Sequence, residues 1–359
     1  MHKYNTRDGV KTTDSRSRMQ GKFIDRLMER TVVPSFSSIG YSVRRRLDNW
    51  QPISRYHLRG KVIVLTGGTS GIGEAAAELY AELGATLIII ARNQQKTEPL
   101  IEQMRERTHN RAVRALYGDL GIRDDVQRIA NELALQYPVI NVLVHNAGAL
   151  FNQRKRAANG TDLSVELMVA TPFLLTGLLL PQLGLNENIS GQHNENSQQT
   201  KRFGPGRVLT MSSGGMYTQA LTVNALEMRD NNYHGAKQYA RAKRAQVVLN
   251  EMWASRIPAS DIVFHALHPG WVKTPGITEA LPLFSKMLDP LGLLRSPKEG
   301  ADTLLWLSAA IEPGKSTGLF WHDRATRSIN MSQSSRNADT PEKRAALWQW
   351  CETHTNWQF

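Results

Sequence analysis

Residues 62–73 read VIVLTGGTSGIG. The first four, Val62 to Leu65, are apolar and match the length of a strand buried in a parallel sheet. Thr66-Gly67-Gly68-Thr69-Ser70-Gly71-Ile72-Gly73 follows, and then an alanine-rich, helix-forming stretch to Leu83. Strand, glycine turn and helix in that order make an anion site. The helix N-terminus presents unpaired N–H groups and the positive end of its dipole, and glycines let a pyrophosphate approach the backbone. Gly67, Gly71 and Gly73 are expected to carry the tight turn, the close approach and the helix packing. The spacing is TGxxxGxG rather than GxGxxG.

Working outward, the pattern alternates. Helix 71–83 is followed by strand 86–91, helix 94–108, strand 112–116, Gly118-Asp119-Leu120, helix 123–136 and strand 140–145, which ends in Asn146-Ala147-Gly148. This βαβ rhythm predicts a doubly wound parallel sheet of about seven strands, helices on both faces, joined by right-handed crossovers. The second half continues it. A helix is expected over 162–183 with Pro172 and Pro181 inside, then a polar loop over 186–205, a strand over 207–211 and a strong helix over 238–257. A strand over 261–267 ends at His268-Pro269-Gly270. An apolar segment over 278–293, a helix over 297–310 and a last strand over 318–321 complete the domain. Residues 60–325 are read as that domain, 1–59 as a basic arm, and 326–359 as a tail with a helix over 342–352.

The chain has 359 residues, a net charge of +12 and one cysteine, Cys351. A single thiol excludes an internal disulfide framework, and a reducing, cytoplasmic setting is the expectation. No apolar run reaches the roughly 18 residues of a membrane span. Residues 1–59 hold 13 Lys+Arg against 5 Asp+Glu, a net of +8. Residues 1–20 read as disordered. Phe23, Ile24, Leu27 and Met28 then fall at helical spacing, followed by Arg44-Arg45-Arg46 and Trp50. Two readings stand side by side: an arm packed on the main domain, or a weak surface anchor for anionic membrane. The start lacks the apolar core of a secretory signal, and Asp8 and Asp14 spoil a transit peptide. No zinc-ligand spacing or RNA-binding aromatic pattern occurs, so no metal and no specific nucleic acid are expected.

The chemistry follows the strand that ends at Met211. Ser212-Ser213-Gly214-Gly215 comes first, then Tyr239-Ala240-Arg241-Ala242-Lys243 at the opening of the long helix. A Tyr and a Lys four apart share a helix face. The ammonium is expected to lower the tyrosine from its usual value of about 10, so that it can exchange a proton with a carbonyl or alcohol oxygen. A serine hydroxyl at a strand end can hold the same oxygen. Tyr233 and Lys237 repeat the spacing. Tyr239 is preferred because Val247, Val248, Leu249 and Met252 sustain a helix after it, whereas Gly235 sets the earlier pair ahead of the helix. Asp119 can equally cap the helix after it. His145 and His268 read as packed strand-end residues.

Thr66-Gly67-xxx-Gly71-x-Gly73, Asp119-Leu120, Asn146-Ala147-Gly148, Ser213, Tyr239-xxx-Lys243 and Pro269-Gly270 occur in one order, each beside its strand. Over residues 60–321 this resembles the short-chain dehydrogenase/reductase family, and the stretches Ser212–Tyr217, Tyr239–Val248 with Trp253, and His268–Gly276, with the arm around Gly40 to Leu58, resemble more narrowly its member-12 subgroup. The resemblance implies a Rossmann-type fold and an oxidoreductase that interconverts an alcohol and a carbonyl with a nicotinamide dinucleotide. The turn with Gly67, Thr69, Ser70, Gly71, Ile72 and Gly73 would hold the pyrophosphate. Asp119 and Leu120 would border the adenine, and Asn146, Ala147 and Gly148 would line the ribose. Tyr239 would be the general acid/base, Ser213 would orient the carbonyl, and Lys243 would hold the nicotinamide ribose. Pro269, Gly270, Val272 and Thr274 would contact the nicotinamide half. After the second strand, Ala91 and Arg92 stand where an acid would select NAD, and no acid occurs before Glu98. Arg92, with Lys96, therefore points to NADP(H), with NAD(H) also admitted. Substrate-shaping stretches are expected at 150–156 and 276–294. Leu281, Leu283, Phe284, Met287 and Leu288 make the second apolar, which suits a lipophilic carbonyl or alcohol, and a homo-oligomer is in keeping with the family.

The family's asparagine on the helix after Asn-Ala-Gly is missing: 162–183 contains none. About four residues of the subgroup pattern are absent between Thr171 and Pro172, a shift of about 40° around a helix. Cofactor binding of ordinary strength with reduced turnover is expected. The alternatives are a dinucleotide-binding regulatory or interaction module of the same fold, and an RNA or membrane-surface binder that uses the basic arm.

Overall fold

Parallel strands made almost wholly of apolar residues need cover on both faces, and the eight-stranded sheet is built on that requirement. Its strands are β1 (Val62–Thr66), β2 (Thr86–Ala91), β3 (Val113–Tyr117), β4 (Val142–His145), β5 (Gly206–Met211), β6 (Ile262–His268), β7 (Leu319–His322) and β8 (Ala325–Arg327). They lie in the order β3-β2-β1-β4-β5-β6-β7-β8. The first seven are parallel, and β8 pairs antiparallel with β7. The computed structural model describes Asp25, Met28 and residues 31–185 and 204–359. Part of the helical spacing read at Phe23, Ile24 and Leu27, and most of the polar loop, lie outside the described residues.

The chain order reverses between β1 and β4, which are neighbours with Leu65 in register with Val144. A doubly wound sheet opens a crevice at that point, beyond the carboxyl ends of its strands. Helix α3 (Gly71–Glu82) packs Ala76, Ala77 and Ala81 against one face, with α4 (Gln94–Thr108) beside it. α5 (Arg123–Gln136) and α9 (Gly235–Ala254) cover the other face. α12 (Pro297–Ala309), opened by a Ser296/Glu299 capping box, joins α3. Ahead of the sheet, α1 (Val32–Phe36) and α2 (Ser38–Leu47) lie against the domain, with Phe36, Tyr41 and Arg44 buried.

Four expectations change. The sheet has an eighth strand. α9 begins at Gly235, three residues earlier than read. The helix expected over 162–183 is broken into α6 (Leu163–Val165), a π-helical stretch Glu166–Ala170, α7 (Thr171–Leu178) and α8 (Leu180–Leu183). Pro172 has no N–H to close an α-turn, and the π stretch absorbs the mismatch directly before it. The tail helix is longer, α14 (Pro341–Thr355), preceded by α13 (Gln333–Ala338). α14 buries Leu347, Trp348 and Cys351 in the main core, and Trp253 stands 4.7 Å from Trp348 and 5.2 Å from Phe173 between ring centroids. Among the described residues, no helix is long and apolar enough to cross a membrane.

Candidate active site

Thr66 closes β1 and ties the crevice together. Its Oγ1 donates to Val144 O at 3.1 Å and accepts from the N–H groups of Asn146 and Ala147, both at 3.0 Å. Asn146 Nδ2 returns two bonds, to Thr66 O and Gly67 O at 3.2 and 2.9 Å. Gly67 sits in the left-handed region at φ +68°, and a Cβ there would stand 2.8 Å from Ala147 Cα. A Cβ on Gly73 would stand 2.0 Å from Gly67 O. The turn therefore admits no side chain at either position. α3 starts at Gly71, and its N-cap Ser70 makes no side-chain cap, which leaves first-turn N–H groups for an anion. Thr69 and Ser70 are exposed, and Ile72 packs beneath them against the core. Thr274 reaches the turn from the far side, its methyl 3.1 Å from where a Gly71 Cβ would lie, and Val272 is buried next to it. This cradle fits a pyrophosphate.

At the end of β2, Arg92 is 73% exposed, its Nη1 3.8 Å from Asp119 Oδ2. That separation is too long for a hydrogen bond and leaves the guanidinium donors available. Lys96 is exposed one turn on. Asp119 does not cap α5, whose N-cap is Ile122. Its Oδ1 accepts from Gly121 N at 2.8 Å, and its own N–H goes to Asp125 Oδ2 at 2.7 Å, which shapes the turn with buried Leu120.

Beyond β5, Ser212 Oγ donates to Lys243 O at 3.2 Å. Ser213 caps a 3-10 turn, Gly214–Thr218, accepting Gly215 N at 3.2 Å. Tyr239 and Lys243 are one turn apart on α9. Lys243 Nζ lies 5.4 Å from the Tyr239 ring centroid and donates to Met211 O at 2.7 Å. It also lies 3.4 Å from where a Gly148 Cβ would be, which places Asn146-Ala147-Gly148 beside the lysine. Burial pushes the Tyr239 hydroxyl up to about 12, a hydrogen bond with the Ser213 side chain offsetting only part of the rise. Burial also lowers Lys243 to about 7. The expectation that the ammonium leaves Tyr239 below its ordinary value is thus corrected: desolvation of the phenolate dominates, and Nζ is engaged by a backbone carbonyl.

The duplicate pair separates cleanly. Tyr233 precedes α9 and donates to Phe151 O at 3.2 Å, while Lys237 is exposed. His145 is the packed residue expected, 2.8 Å from Thr176 Oγ1 and lowered to about 3 by burial. His268 is more than packed, because its Nδ1 accepts the Gly214 N–H at 3.0 Å. Pro269 O accepts from Arg295 Nη1 at 3.2 Å, and Gly270 follows at φ +81°. Thr66, His268 and Arg295 were not read from the sequence as site residues. The only local signals were the Thr-Gly pair and the His-Pro-Gly run.

A family model described as short chain dehydrogenase matches residues 61–192. Human dehydrogenase/reductase SDR family member 12 is 32% identical over 288 residues, covering 79% of this chain and 83% of that protein. The chain belongs to the short-chain dehydrogenase/reductase family. Its class is therefore oxidoreductase, and the resemblance to the member-12 subgroup holds. Human polyprenol dehydrogenase is 28% identical over 77% of this chain and 81% of its own length. Among solved structures, a putative short chain dehydrogenase of Escherichia coli complexed with NADPH aligns at TM-score 0.56 and 23% identity, over 75% of this chain and 98% of that one. That likeness concerns the fold.

Proposed function

We propose that this family member is an NADP(H)-dependent oxidoreductase that interconverts a lipophilic carbonyl and its alcohol, with Tyr239 as general acid/base. The observation that carries this reading is the convergence of Ser213, Tyr239 and Lys243 beside the Gly67–Gly73 cradle. The first-turn amides of α3 would hold the pyrophosphate, with Asp119, Leu120 and Asn146 to Gly148 along the adenosine side. Lys243, Pro269, Gly270, Val272 and Thr274 would flank the nicotinamide side. The nicotinamide, when bound, supplies or accepts the hydride. Ser213 Oγ orients the substrate oxygen, and Tyr239 gives that oxygen a proton. Lys243 sets Nζ beside the tyrosine ring and steadies the end of β5 through Met211.

Arg92 supports NADP(H) over NAD(H): it is exposed, loosely paired, and stands where an acid would repel a 2′-phosphate. Arg92→Asp should reverse the preference, read by titrating both reduced cofactors. A lipophilic substrate is supported by α10 (Pro275–Ala280) and α11 (Pro282–Leu288), where Phe284 stacks edge-on to Trp271 at 5.1 Å and Leu288 is buried. The likeness to polyprenol dehydrogenase points the same way. Leu283 and Met287, 82% and 61% exposed, share the outer face of α11. With the net +8 of residues 1–59, they support weak contact with anionic lipid from a cytoplasmic location.

A second reading has one observation in its favour. The π-helical stretch and Pro172 stand where the family's asparagine would be, which suits a weakened enzyme or a dinucleotide-binding module. A panel of lipophilic ketones, aldehydes and quinones, followed by NADPH absorbance, separates the two. Consumption with any member supports the enzyme. Tight NADPH binding without consumption across the panel supports the module.

A further inference from the structure

The turn that carries Ser213 is held from behind by the N-terminal arm. Phe36, buried at the end of α1, meets the His268 ring edge-on at 4.4 Å and the His322 ring at 5.2 Å. The two histidines stack on each other at 4.9 Å. His268 Nδ1 takes the Gly214 N–H, so the peptide joining Ser213 to Gly214 is fixed by the orientation of that imidazole. Space there is closed: a Cβ on Gly214 would stand 2.8 Å from Phe36 Cε2 and 2.9 Å from His268 Nε2. Phe36 in turn cannot slide, since its carbonyl accepts Trp271 N at 2.8 Å.

Behind Phe36 lies a buried ion cluster that seats the arm. Arg44 Nη1 bonds Asp323 Oδ2 at 2.7 Å and Ser35 O at 2.9 Å, and Arg44 Nε bonds Asp25 Oδ1 at 2.7 Å. Arg295 grips the same Asp323 with two bonds, at 2.6 and 2.9 Å. It also reaches Ser37 O and Ser35 O in the arm and Pro269 O in the expected cofactor turn. Buried charges persist when each is paired and hydrogen-bonded, and removing one partner is strongly destabilising.

We infer that residues 35–44 belong to the active-site framework, and that Phe36 is a positioning residue that sets the Ser213 turn through His268. The inference rests on the reading of Ser213 as the substrate-orienting serine. Its mechanical part is tested without any substrate. His268 acts in this arrangement as a neutral acceptor at Nδ1, which its burial favours.

The test is hydrogen exchange, followed by mass spectrometry, on the full chain with Phe36→Ala and with Phe36→Leu, which keeps most of the apolar volume without the ring. Exchange across residues 212–218 should accelerate about tenfold or more in Phe36→Ala, as expected for a lost amide hydrogen bond. Exchange across residues 62–82 and NADPH affinity should stay at wild-type values. Phe36→Leu should show the same local acceleration. Unchanged exchange at 212–218 in a folded variant overturns the inference. So does acceleration in step across both stretches, which would mark Phe36 as a stability residue only. With a carbonyl that the wild type reduces, the loss should fall on kcat rather than KM. If the exchange result holds and the wild type reduces no carbonyl, the arm coupling stands and the proposed function falls.

Discussion

In the proposed reaction Tyr239 is poised to give a proton, because burial raises its hydroxyl above the ordinary value. With its hydroxyl at about 12, it is protonated across the neutral range. Carbonyl reduction should therefore lose nothing to Tyr239 ionisation across the neutral range, while alcohol oxidation should climb through the alkaline range to the limit of stability. An oxidation optimum near neutral pH would contradict this. Lys243 carries the opposite sign. Its folded value of about 7 lies below the unfolded value of about 10.4, so between these the unfolded chain binds the extra proton and stability rises with pH. Below about pH 7 the full cost of burying the ammonium is present. Lys243→Met should raise the melting temperature most at about pH 6, with the gain gone by about pH 10. A gain independent of pH would show that Lys243 is not buried as a charge. At this scale the glycines of the cradle were legible, because backbone geometry demands them locally. His268 was not, because its partner Gly214 is 54 residues away and nothing local marks the contact.

Among the elements, the helix broken before Pro172 is the one whose sequence reads as a departure from the family pattern. Thr171 Oγ1 bonds Leu120 O at 2.6 Å, and Glu166 in the π stretch is 2.8 Å from His354 of α14, so both ends of the break are tied to neighbours. Inserting four residues after Thr171, with Asn first, should raise turnover without changing NADPH affinity. Equal rates before and after would make the asparagine dispensable here. α7 also meets the tail closely: a Cβ on Gly177 would lie 2.5 Å from the Trp357 ring. Gly177→Ala should cost about 1–3 kcal/mol through overpacking, visible in thermal melts, with turnover per folded molecule unchanged. No loss of stability would mean that the Trp357 contact is loose. The sequence pattern showed prolines inside an apolar run, but not that a π stretch would accommodate them, since that outcome depends on what packs around the break.

At the scale of the molecule, the fold was legible because alternation of apolar runs and helix formers leaves few topologies. β8 escaped because it is three residues long and follows a turn, Asp323-Arg324, in which both residues take left-handed φ without the Asn-Gly signature of such hairpins. Arg44 and Arg295 hold that turn through Asp323, a long-range cause that no local reading of residues 323–324 reveals. Charge is also distributed at this scale, with net +8 in residues 1–59. Sedimentation with anionic vesicles should succeed at low salt and fail at high salt, and Leu283→Asp with Met287→Asp should weaken it. Equal binding to neutral vesicles would remove the electrostatic part of that proposal. The proposed reaction is hydride transfer between NADP(H) and a carbonyl, assisted by a proton from Tyr239. Its most direct test is NADPH consumption by wild type and Tyr239→Phe on one carbonyl substrate, with NADPH affinity measured beside it. For Tyr239→Phe the affinity should be unchanged and the rate lower by about 10²–10⁴-fold, with Tyr233→Phe near wild type. A Tyr239→Phe enzyme that turns over at the wild-type rate would contradict it.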